Sequence, residues 1–338
     1  MTRHEFHTDV PFELEAGGRL DSLTLVYFTP DREYKPSDSV VWICHTITSD
    51  ADPEDWWPSM VGPGKLFDTD KYFVICVSLI CSPYGSTCPA SLNPATGKPY
   101  LLSFPRITVR DTVRANILVR EALGIEKIKF LIGPSIGGFQ AAEWAIMEAD
   151  RIENLALLAT TVRVTPYLTA YNESQRLALL ADQTFLAQEN VDGGKAGLHC
   201  TRGIALISYR YSEGYDKTQY EKDDDVLFAD RAASYQRYQG DKLLARGFDA
   251  YSYYYLLYML DSMNVGRGRG GVAKALSMIK AKTLMINIDT DGIFPVSSGR
   301  ASASLIPDCD FYEISSRFGH DGLFLENEQL EVIIKPFI

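Results

Sequence analysis

The pentapeptide Gly133-Pro134-Ser135-Ile136-Gly137 constrains this chain more than any other segment, because it fits the pattern G-x-S-x-G. The residues before it, KIKFLI (127–132), are typical of a buried strand, and those after it, GFQAAEWAIME (138–148), are typical of a helix. A sharp strand-to-helix turn lifts a serine hydroxyl clear of a sheet, and glycines leave room for that turn. Glycine-flanked serines also occur in ordinary turns, but this context predicts that Ser135 is a nucleophile. The backbone N–H of Ile136 would then stabilise an oxyanion.

A serine nucleophile needs a base and an acid, and with this motif they follow in the order Ser, acid, His. Of the five histidines, only His320 follows the last predicted strand. The strand predicted at 283–288 runs into Asp289-Thr290-Asp291-Gly292, where the acid is expected. Alternation along the strand and its loop allows either aspartate, and we choose Asp291 because it lies further out. His320 would accept the serine proton, and Asp291 would orient the imidazole.

Composition restricts the classes of partner. With 338 residues, 46% hydrophobic and 23% charged, the chain resembles an ordinary soluble globular protein with a large core. A net charge of −11 argues against nucleic acid or an anionic membrane as a partner. The start, MTRHEFHTDV, has no apolar segment of a signal peptide, and no apolar run is long enough to span a membrane. Six scattered cysteines without a CxxC motif favour free thiols in a reducing cytoplasm, and no metal site is predicted.

Strand-like and helix-like segments alternate along much of the chain. Several of the strands are continuous apolar runs, as expected when both faces of a sheet are covered. The segment at 109–123 has helical periodicity and stops at Gly124. The pattern predicts an α/β fold with a mostly parallel, doubly wound sheet. The predicted strands are 23–28, 40–44, 72–78, 127–132, 155–159, 283–288 and 310–314.

The alternation breaks between residues 165 and 271, a segment without a clear strand that we call the lid. We expect several helices there, inserted above the carboxyl edge of a core formed by residues 1–164 and 272–338. The many tyrosines of the lid are expected mostly to pack its helices together, although some could line a tunnel or a subunit interface. The glycine-rich stretch 266–271 lacks the strand and the GK[ST] of a phosphate loop, so it is interpreted as the return from lid to core.

The chain resembles the homoserine O-acetyltransferases of the α/β-hydrolase type along nearly its whole length. The most specific matches are the block Asn93 to Tyr100 (NPATGKPY) and the serine turn with Gln140 and Glu143-Trp144. The chain departs from the family at Pro134 and Cys88, where the family usually has glycine. Further matching residues are His45-Thr46-Ile47-Thr48, Trp56-Trp57, Gly62-Pro63-Gly64-Lys65, Gly85-Ser86-Thr87, Arg110-Asp111, Asn172-Glu173, Arg176 and Gly319-His320-Asp321.

The resemblance implies a role for each matching residue. Ser135, Asp291 and His320 would form the catalytic triad. The backbone N–H of Ile47 would join that of Ile136 in the oxyanion hole. The family binds its amino acid with an arginine, a tyrosine seven positions later and the aspartate after the catalytic histidine. Here these are Arg202, Tyr209 and Asp321.

The resemblance also implies an activity. Acetyl-CoA would acylate the serine, and the hydroxyl of L-homoserine would then take the acetyl group in a ping-pong reaction that feeds methionine synthesis. Acetyl-CoA is a cosubstrate, with no bound cofactor or metal, and a cytoplasmic homodimer joined through lid helices is expected. The alternatives are an enzyme that acts on L-serine or uses succinyl-CoA, and an esterase in which water replaces the amino acid. A binding protein without activity is the weakest alternative, because all three triad positions are filled.

Overall fold

A single eight-stranded sheet forms the centre of the molecule, which a computed structural model describes over all 338 residues. The strands are β1 Thr2–Thr8, β2 Leu23–Thr29, β3 Val40–Ile43, β4 Phe73–Val77, β5 Ile128–Pro134, β6 Ile152–Leu158, β7 Lys282–Ile288 and β8 Cys309–Ile314. Their order in the sheet is β1-β2-β4-β3-β5-β6-β7-β8. Two short hairpins lie outside the sheet, Phe12–Glu13 with Arg19–Leu20 and Leu92–Asn93 with Lys98–Pro99.

The sheet confirms the predicted mostly parallel, doubly wound architecture. β1 pairs antiparallel with β2 and β2 pairs antiparallel with β4, while every other neighbouring pair is parallel. The carboxyl ends of the parallel strands therefore lie at one edge. Polar residues that follow β3, β5 and β7 meet there, which is where open α/β sheets place their ligands.

Thirteen α-helices surround the sheet. They are α1 Pro53–Trp56, α2 Val109–Ala122, α3 Ile136–Met147, α4 Pro166–Leu180, α5 Gln183–Ala187, α6 Lys195–Tyr209, α7 Ser212–Gln219, α8 Arg231–Ala245, α9 Ala250–Asp261, α10 Val272–Leu276, α11 Val296–Ala303, α12 Gly322–Leu325 and α13 Asn327–Ile334. A 3₁₀ turn at Gly319–Asp321 follows β8. Helices α4 to α9 occupy the lid segment without an intervening strand.

Both faces of the sheet are buried, because successive residues of its strands point to opposite sides. Leu131 packs with α2, α3 and the lid helix α9 in the larger apolar core. Its neighbours Phe130 and Ile132 pack with α13 in the smaller core on the other face. The lid shares the larger core with the sheet and is held firmly to it. Tyr251, Tyr253 and Tyr255 of α9 are buried there, as expected for tyrosines that pack helices.

Ion pairs hold the glycine-rich stretch 266–271 against the core. Arg267 pairs with Glu15 at 2.7 Å, and Arg269 donates to the buried Glu143 at 2.9 Å. Arg110 bridges both carboxylates, each at 2.9 Å. The arginines of this stretch are therefore already neutralised by carboxylates, which agrees with its interpretation as a connection between lid and core.

The first strand, β1, was not predicted, because the earliest strand expected from the sequence was 23–28. β1 pairs only with β2, at the edge of the sheet, so it needs few apolar residues. Its two histidines form hydrogen bonds with threonines of β2. His4 Nε2 lies 2.9 Å from the Thr29 hydroxyl, and His7 Nδ1 lies 2.9 Å from the Thr24 hydroxyl. None of the helices combines the length and the apolar character required to cross a bilayer.

Candidate active site

Ser135 occupies the sharp turn between β5 and α3. Its backbone has φ 55° and ψ −123°, a conformation that side chains rarely adopt and that stores strain at the site. The flanking glycines are sterically required: a Cβ on Gly133 would lie 2.1 Å from the backbone of Gly137, and one on Gly137 would lie 1.9 Å from the Cys44 carbonyl oxygen. Pro134 does not interrupt the sheet, because the next N–H, that of Ser135, donates to Leu158 O at 2.9 Å.

His320 reaches the serine from the turn that follows β8. Its Nε2 lies 2.9 Å from Ser135 Oγ, and its Nδ1 lies 2.7 Å from Asp291 Oδ2. Burial lowers the pKa of His320, but the charge and hydrogen bond of Asp291 outweigh burial and raise it above its ordinary value of 6.5. As whole residues, Ser135, His320 and Asp291 are 7%, 5% and 4% exposed, so water has little access to them. This arrangement allows His320 to accept a proton from Ser135.

The carboxylate of Asp291 is held in a fixed orientation. Its Oδ1 accepts hydrogen bonds from the N–H groups of Ile293 at 2.8 Å and Phe294 at 3.0 Å, which leaves Oδ2 for His320. Asp289 points elsewhere and accepts from the Ser315 hydroxyl at 2.8 Å and the Ser316 N–H at 2.9 Å. Of the two aspartates that the sequence left open, the structure therefore brings Asp291 to His320.

Two backbone N–H groups near Ser135 have no acceptor within the protein. They belong to Ile136, the first residue of α3, and to Ile47 in the loop after β3. Both residues are buried, and an unpaired buried N–H is rare in a folded protein. An unpaired donor is what an oxyanion site requires, so the structure is compatible with the predicted roles of both residues.

Arg202 of α6 has neither a hydrogen bond nor an ion pair with the protein, and its Nε is buried without a partner. Its guanidinium lies 5.9 Å from the centre of the Tyr209 ring, which in turn lies 5.8 Å from the His320 ring. Burial raises the pKa of Tyr209, so its hydroxyl stays protonated and able to donate. The structure therefore brings an unpaired cation and a phenol to the triad, with Asp321 adjacent to His320 in the chain.

Arg210, which follows Tyr209 at the end of α6, was not predicted to belong to the site. Its Nε lies 2.5 Å from Asp321 Oδ2, and its Nη2 lies 3.3 Å from the Tyr235 hydroxyl. Asp321, which the resemblance assigns to binding of the amino acid, is thus already paired with a cation. Burial raises the pKa of its carboxyl, and Arg210 is the largest of the opposing charges. Only the tertiary fold reveals this pair, because its members are far apart in the sequence.

The site contains no arrangement for a metal, and the described chain has no group of three or more His, Cys, Asp or Glu side chains positioned to bind one. The six cysteines are all unpaired thiols, and four of them are buried.

Comparison with known proteins places these features in a family. Residues 39–327 match the model of the α/β hydrolase fold. A homoserine O-acetyltransferase of Cyclobacterium marinum is 40% identical over 340 residues, which cover 100% of this chain and 95% of that protein. A second one, from Symbiobacterium thermophilum, is 37% identical over 353 residues, covering 97% of this chain and 92% of the relative.

Solved structures show the same fold. The homoserine O-acetyltransferase from Bacillus anthracis has a TM-score of 0.90 at 22% identity, covering 99% of this chain and 97% of its own. Esterase E22 has a TM-score of 0.89 at 24% identity, covering 99% of each chain. At such identities the likeness concerns the fold alone, and this fold is shared by a transferase and an esterase.

Proposed function

The chain belongs to the homoserine O-acetyltransferase family of α/β-hydrolase-fold enzymes, and we propose that it transfers an acetyl group from acetyl-CoA to the hydroxyl of L-homoserine. The proposed reaction is ping-pong, with the acetyl group carried by Ser135 between two half-reactions. Its product, O-acetylhomoserine, would serve methionine synthesis. The free thiols of the chain fit a reducing compartment such as the cytoplasm.

The first half-reaction forms an acyl-enzyme. His320 Nε2 takes the proton of Ser135, whose Oγ attacks the thioester carbonyl and forms a C–O bond. The negative charge on the carbonyl oxygen is stabilised by the N–H groups of Ile47 and Ile136. Collapse of the intermediate breaks the C–S bond, and the proton on His320 passes to the sulfur, so that CoA leaves as a thiol. Asp291 stabilises the imidazolium formed in between.

The second half-reaction reverses these roles with homoserine as the nucleophile. His320 takes the proton of the γ-hydroxyl, the hydroxyl oxygen attacks the acetyl carbonyl, and the bond to Ser135 Oγ breaks as the serine regains a proton. Arg202 would bind the substrate carboxylate in a fork of hydrogen bonds, and Tyr209 would donate a further one. Asp321 would bind the ammonium while it shares its charge with Arg210.

The observation that carries the proposal is the unpaired guanidinium of Arg202 close to the triad. Arg202 is half-buried, and its buried Nε has no acceptor in the protein, which costs free energy unless a ligand supplies one. A zwitterionic acceptor supplies the missing carboxylate, whereas an esterase that uses water has no need of it. The alternatives remain L-serine or succinyl-CoA as substrates, and ester hydrolysis as the activity.

The proposal is tested by CoA release with and without an acceptor. We expect L-homoserine to accelerate steady-state CoA release from acetyl-CoA by the wild type. Arg202→Ala and Asp321→Asn should each raise the homoserine concentration required by about 10- to 100-fold, since each removes a charge-assisted contact of roughly 1.5–3 kcal/mol. Arg237→Ala, which changes an exposed lid arginine paired with Asp230, is the matched control and should behave like the wild type.

Each outcome has a clear meaning. If homoserine does not accelerate CoA release, the homoserine assignment is wrong. Acceleration by serine instead would establish the alternative acceptor, and greater release from succinyl-CoA the alternative donor. If no amino acid accelerates release while acetyl esters are hydrolysed, the protein is an esterase. CoA is best measured by chromatography, because the exposed thiol of Cys200 would react with a thiol reagent.

We also propose that the protein is a homodimer joined through its lid. The lid exposes large apolar side chains on three of its helices, and these could form part of an interface between two copies. These residues are Tyr167 and Leu177 of α4, Ile207 of α6 and Tyr238 of α8. A second copy would bury them.

A further inference from the structure

His45 is a fully buried histidine outside the triad, two residues before Ile47. Both of its ring nitrogens are engaged. Nε2 lies 3.0 Å from the Leu79 backbone nitrogen, and Nδ1 lies 2.8 Å from the Thr46 carbonyl oxygen. The Leu79 N–H is a donor, so Nε2 must be the acceptor and the proton must lie on Nδ1, which donates to Thr46. Burial lowers the pKa of His45 to about 4, in agreement with a neutral ring.

The carbonyl that accepts this proton and the Ile47 N–H belong to one peptide group. No peptide bond in the chain is cis, and in a planar trans peptide the C=O and N–H point in opposite directions. A donor that holds the Thr46 carbonyl therefore also fixes the direction of the Ile47 N–H. We propose that His45 is a positioning residue that directs the Ile47 N–H toward the oxyanion, an inference that rests on the acyl transfer proposed above.

The other contacts of this loop do not fix the orientation of the peptide group between Thr46 and Ile47. Before it, Cys44 N donates to Ile132 O at 2.8 Å, and the backbone of Gly137 packs directly against the Cys44 carbonyl. These contacts fix the end of β3 but not the following peptide. The Thr46 carbonyl has one other donor, Ser49 N, at 3.2 Å. Loss of His45 would leave only this longer bond to hold the peptide plane.

Two substitutions separate the two bonds of the ring. In His45→Asn, the amide N–H₂ occupies a position close to Nδ1 and keeps a donor for Thr46. In His45→Gln, the longer side chain reaches the position of Nε2, keeps an acceptor for Leu79 and fills more of the volume. If His45 only fills the core, glutamine is the better replacement because it leaves the smaller cavity. If His45 positions the oxyanion donor, asparagine is better, so the two explanations predict opposite rankings.

The acylation rate of Ser135 is the direct measurement, taken from the burst of p-nitrophenol released from p-nitrophenyl acetate. We expect His45→Gln to lower this rate by about 10- to 100-fold, somewhat less than outright loss of one oxyanion donor. His45→Asn should retain more of it, and both variants should keep the wild-type KM for homoserine. Rates that are equal in both variants, or higher in His45→Gln, would overturn the proposal.

This ester requires neither CoA nor homoserine, so the measurement remains valid if the proposed substrates are wrong. A wild type that forms no acyl-Ser135 with any donor would instead refute the proposed function. Should both variants fail to fold, nitrogen-15 NMR of the histidines in the wild type decides. We expect one neutral histidine with its proton on Nδ1 from pH 5 to about 9, a range above its lowered pKa. A His45 that carries its proton on Nε2 would overturn the proposal.

Discussion

Asp291→Asn should almost abolish acylation, because the structure leaves the new amide only one acceptable orientation. The N–H groups of Ile293 and Phe294 both point at Oδ1, so the amide oxygen must remain there. The amide NH₂ then faces His320 Nδ1, which must become an acceptor. The imidazole proton moves to Nε2, and this nitrogen can no longer take the proton of Ser135.

The expected loss of activity in Asp291→Asn follows from the two hydrogen bonds that the carboxylate accepts from Ile293 and Phe294. Turning the amide over would restore the correct tautomer but would place NH₂ against two backbone donors, at a cost of about 1–3 kcal/mol each. At 1.36 kcal/mol per factor of ten, a cost of about 2–6 kcal/mol leaves the productive arrangement in roughly one molecule in 30 to one in 3 × 10⁴. Loss of the negative charge beside the imidazolium adds to this, so we expect a decrease of about 10³- to 10⁴-fold.

Asp289→Asn is the matched control, two residues away. Its amide can accept from Ser316 N–H and donate to the Ser315 hydroxyl, so both partners stay satisfied. We expect its activity to stay within about twofold of the wild type, as for a surface change of at most about 0.5 kcal/mol. The assay is single-turnover CoA release, with thermal unfolding to show that both variants fold. An Asp289→Asn variant that loses more activity than Asp291→Asn would refute the assignment of the acid.

Three further predictions test other parts of the site. Ser135→Ala should lower turnover by several orders of magnitude, and wild type incubated with acetyl-CoA alone should gain one acetyl group at Ser135 by peptide mass spectrometry. Protonated His320 cannot accept the serine proton, so acylation should fall as pH drops through a pKa above 6.5. In Asp291→Asn the charge and hydrogen bond of Asp291 are lost and only Asp321 still opposes burial, so this fall should occur at lower pH. Light scattering should give about twice the chain mass of 37.8 kDa for the wild type. The lid variant Ile207→Glu should have the mass of one chain, whereas Val332→Glu, an exposed change outside the lid, should keep the mass of two.

The predictable parts of the fold are those that depend on residues close together in the sequence. Strands β2 to β8 were found to within a few residues because they are apolar runs, and α2 because of its periodicity and Gly124. The serine turn was predictable because its glycines are forced by close contacts of the backbone. The choice between Asp289 and Asp291 rested on their distance from the strand. In the structure, Asp291 differs from Asp289 because its carboxylate accepts from the N–H groups of Ile293 and Phe294. No pattern in the sequence predicts these two hydrogen bonds.

The parts that could not be predicted depend on contacts between distant segments. β1 is short of apolar residues because it lies at the sheet edge, so its sequence carries no strong strand pattern. Arg210 meets Asp321 only because the end of α6 packs against the turn after β8. His45 meets Leu79 because β3 and β4 are parallel neighbours whose ends emerge side by side. The contacts of these residues can be predicted only when the strand order is known.

If the proposed function is right, the lid rather than the core should distinguish this protein from an esterase. The proposed triad and oxyanion donors lie on the core, and this fold is shared with an esterase at a TM-score of 0.89. Such a core activates an acyl group but does not choose between water and an alcohol. Arg202, Tyr209 and Arg210 all lie on or directly after the lid helix α6. The proposed zwitterionic acceptor, held by these side chains, would attack with its hydroxyl already oriented, whereas water must find the acyl group by diffusion. We therefore expect changes in α6 to alter the ratio of transfer to hydrolysis while leaving the formation of the acyl-enzyme nearly intact.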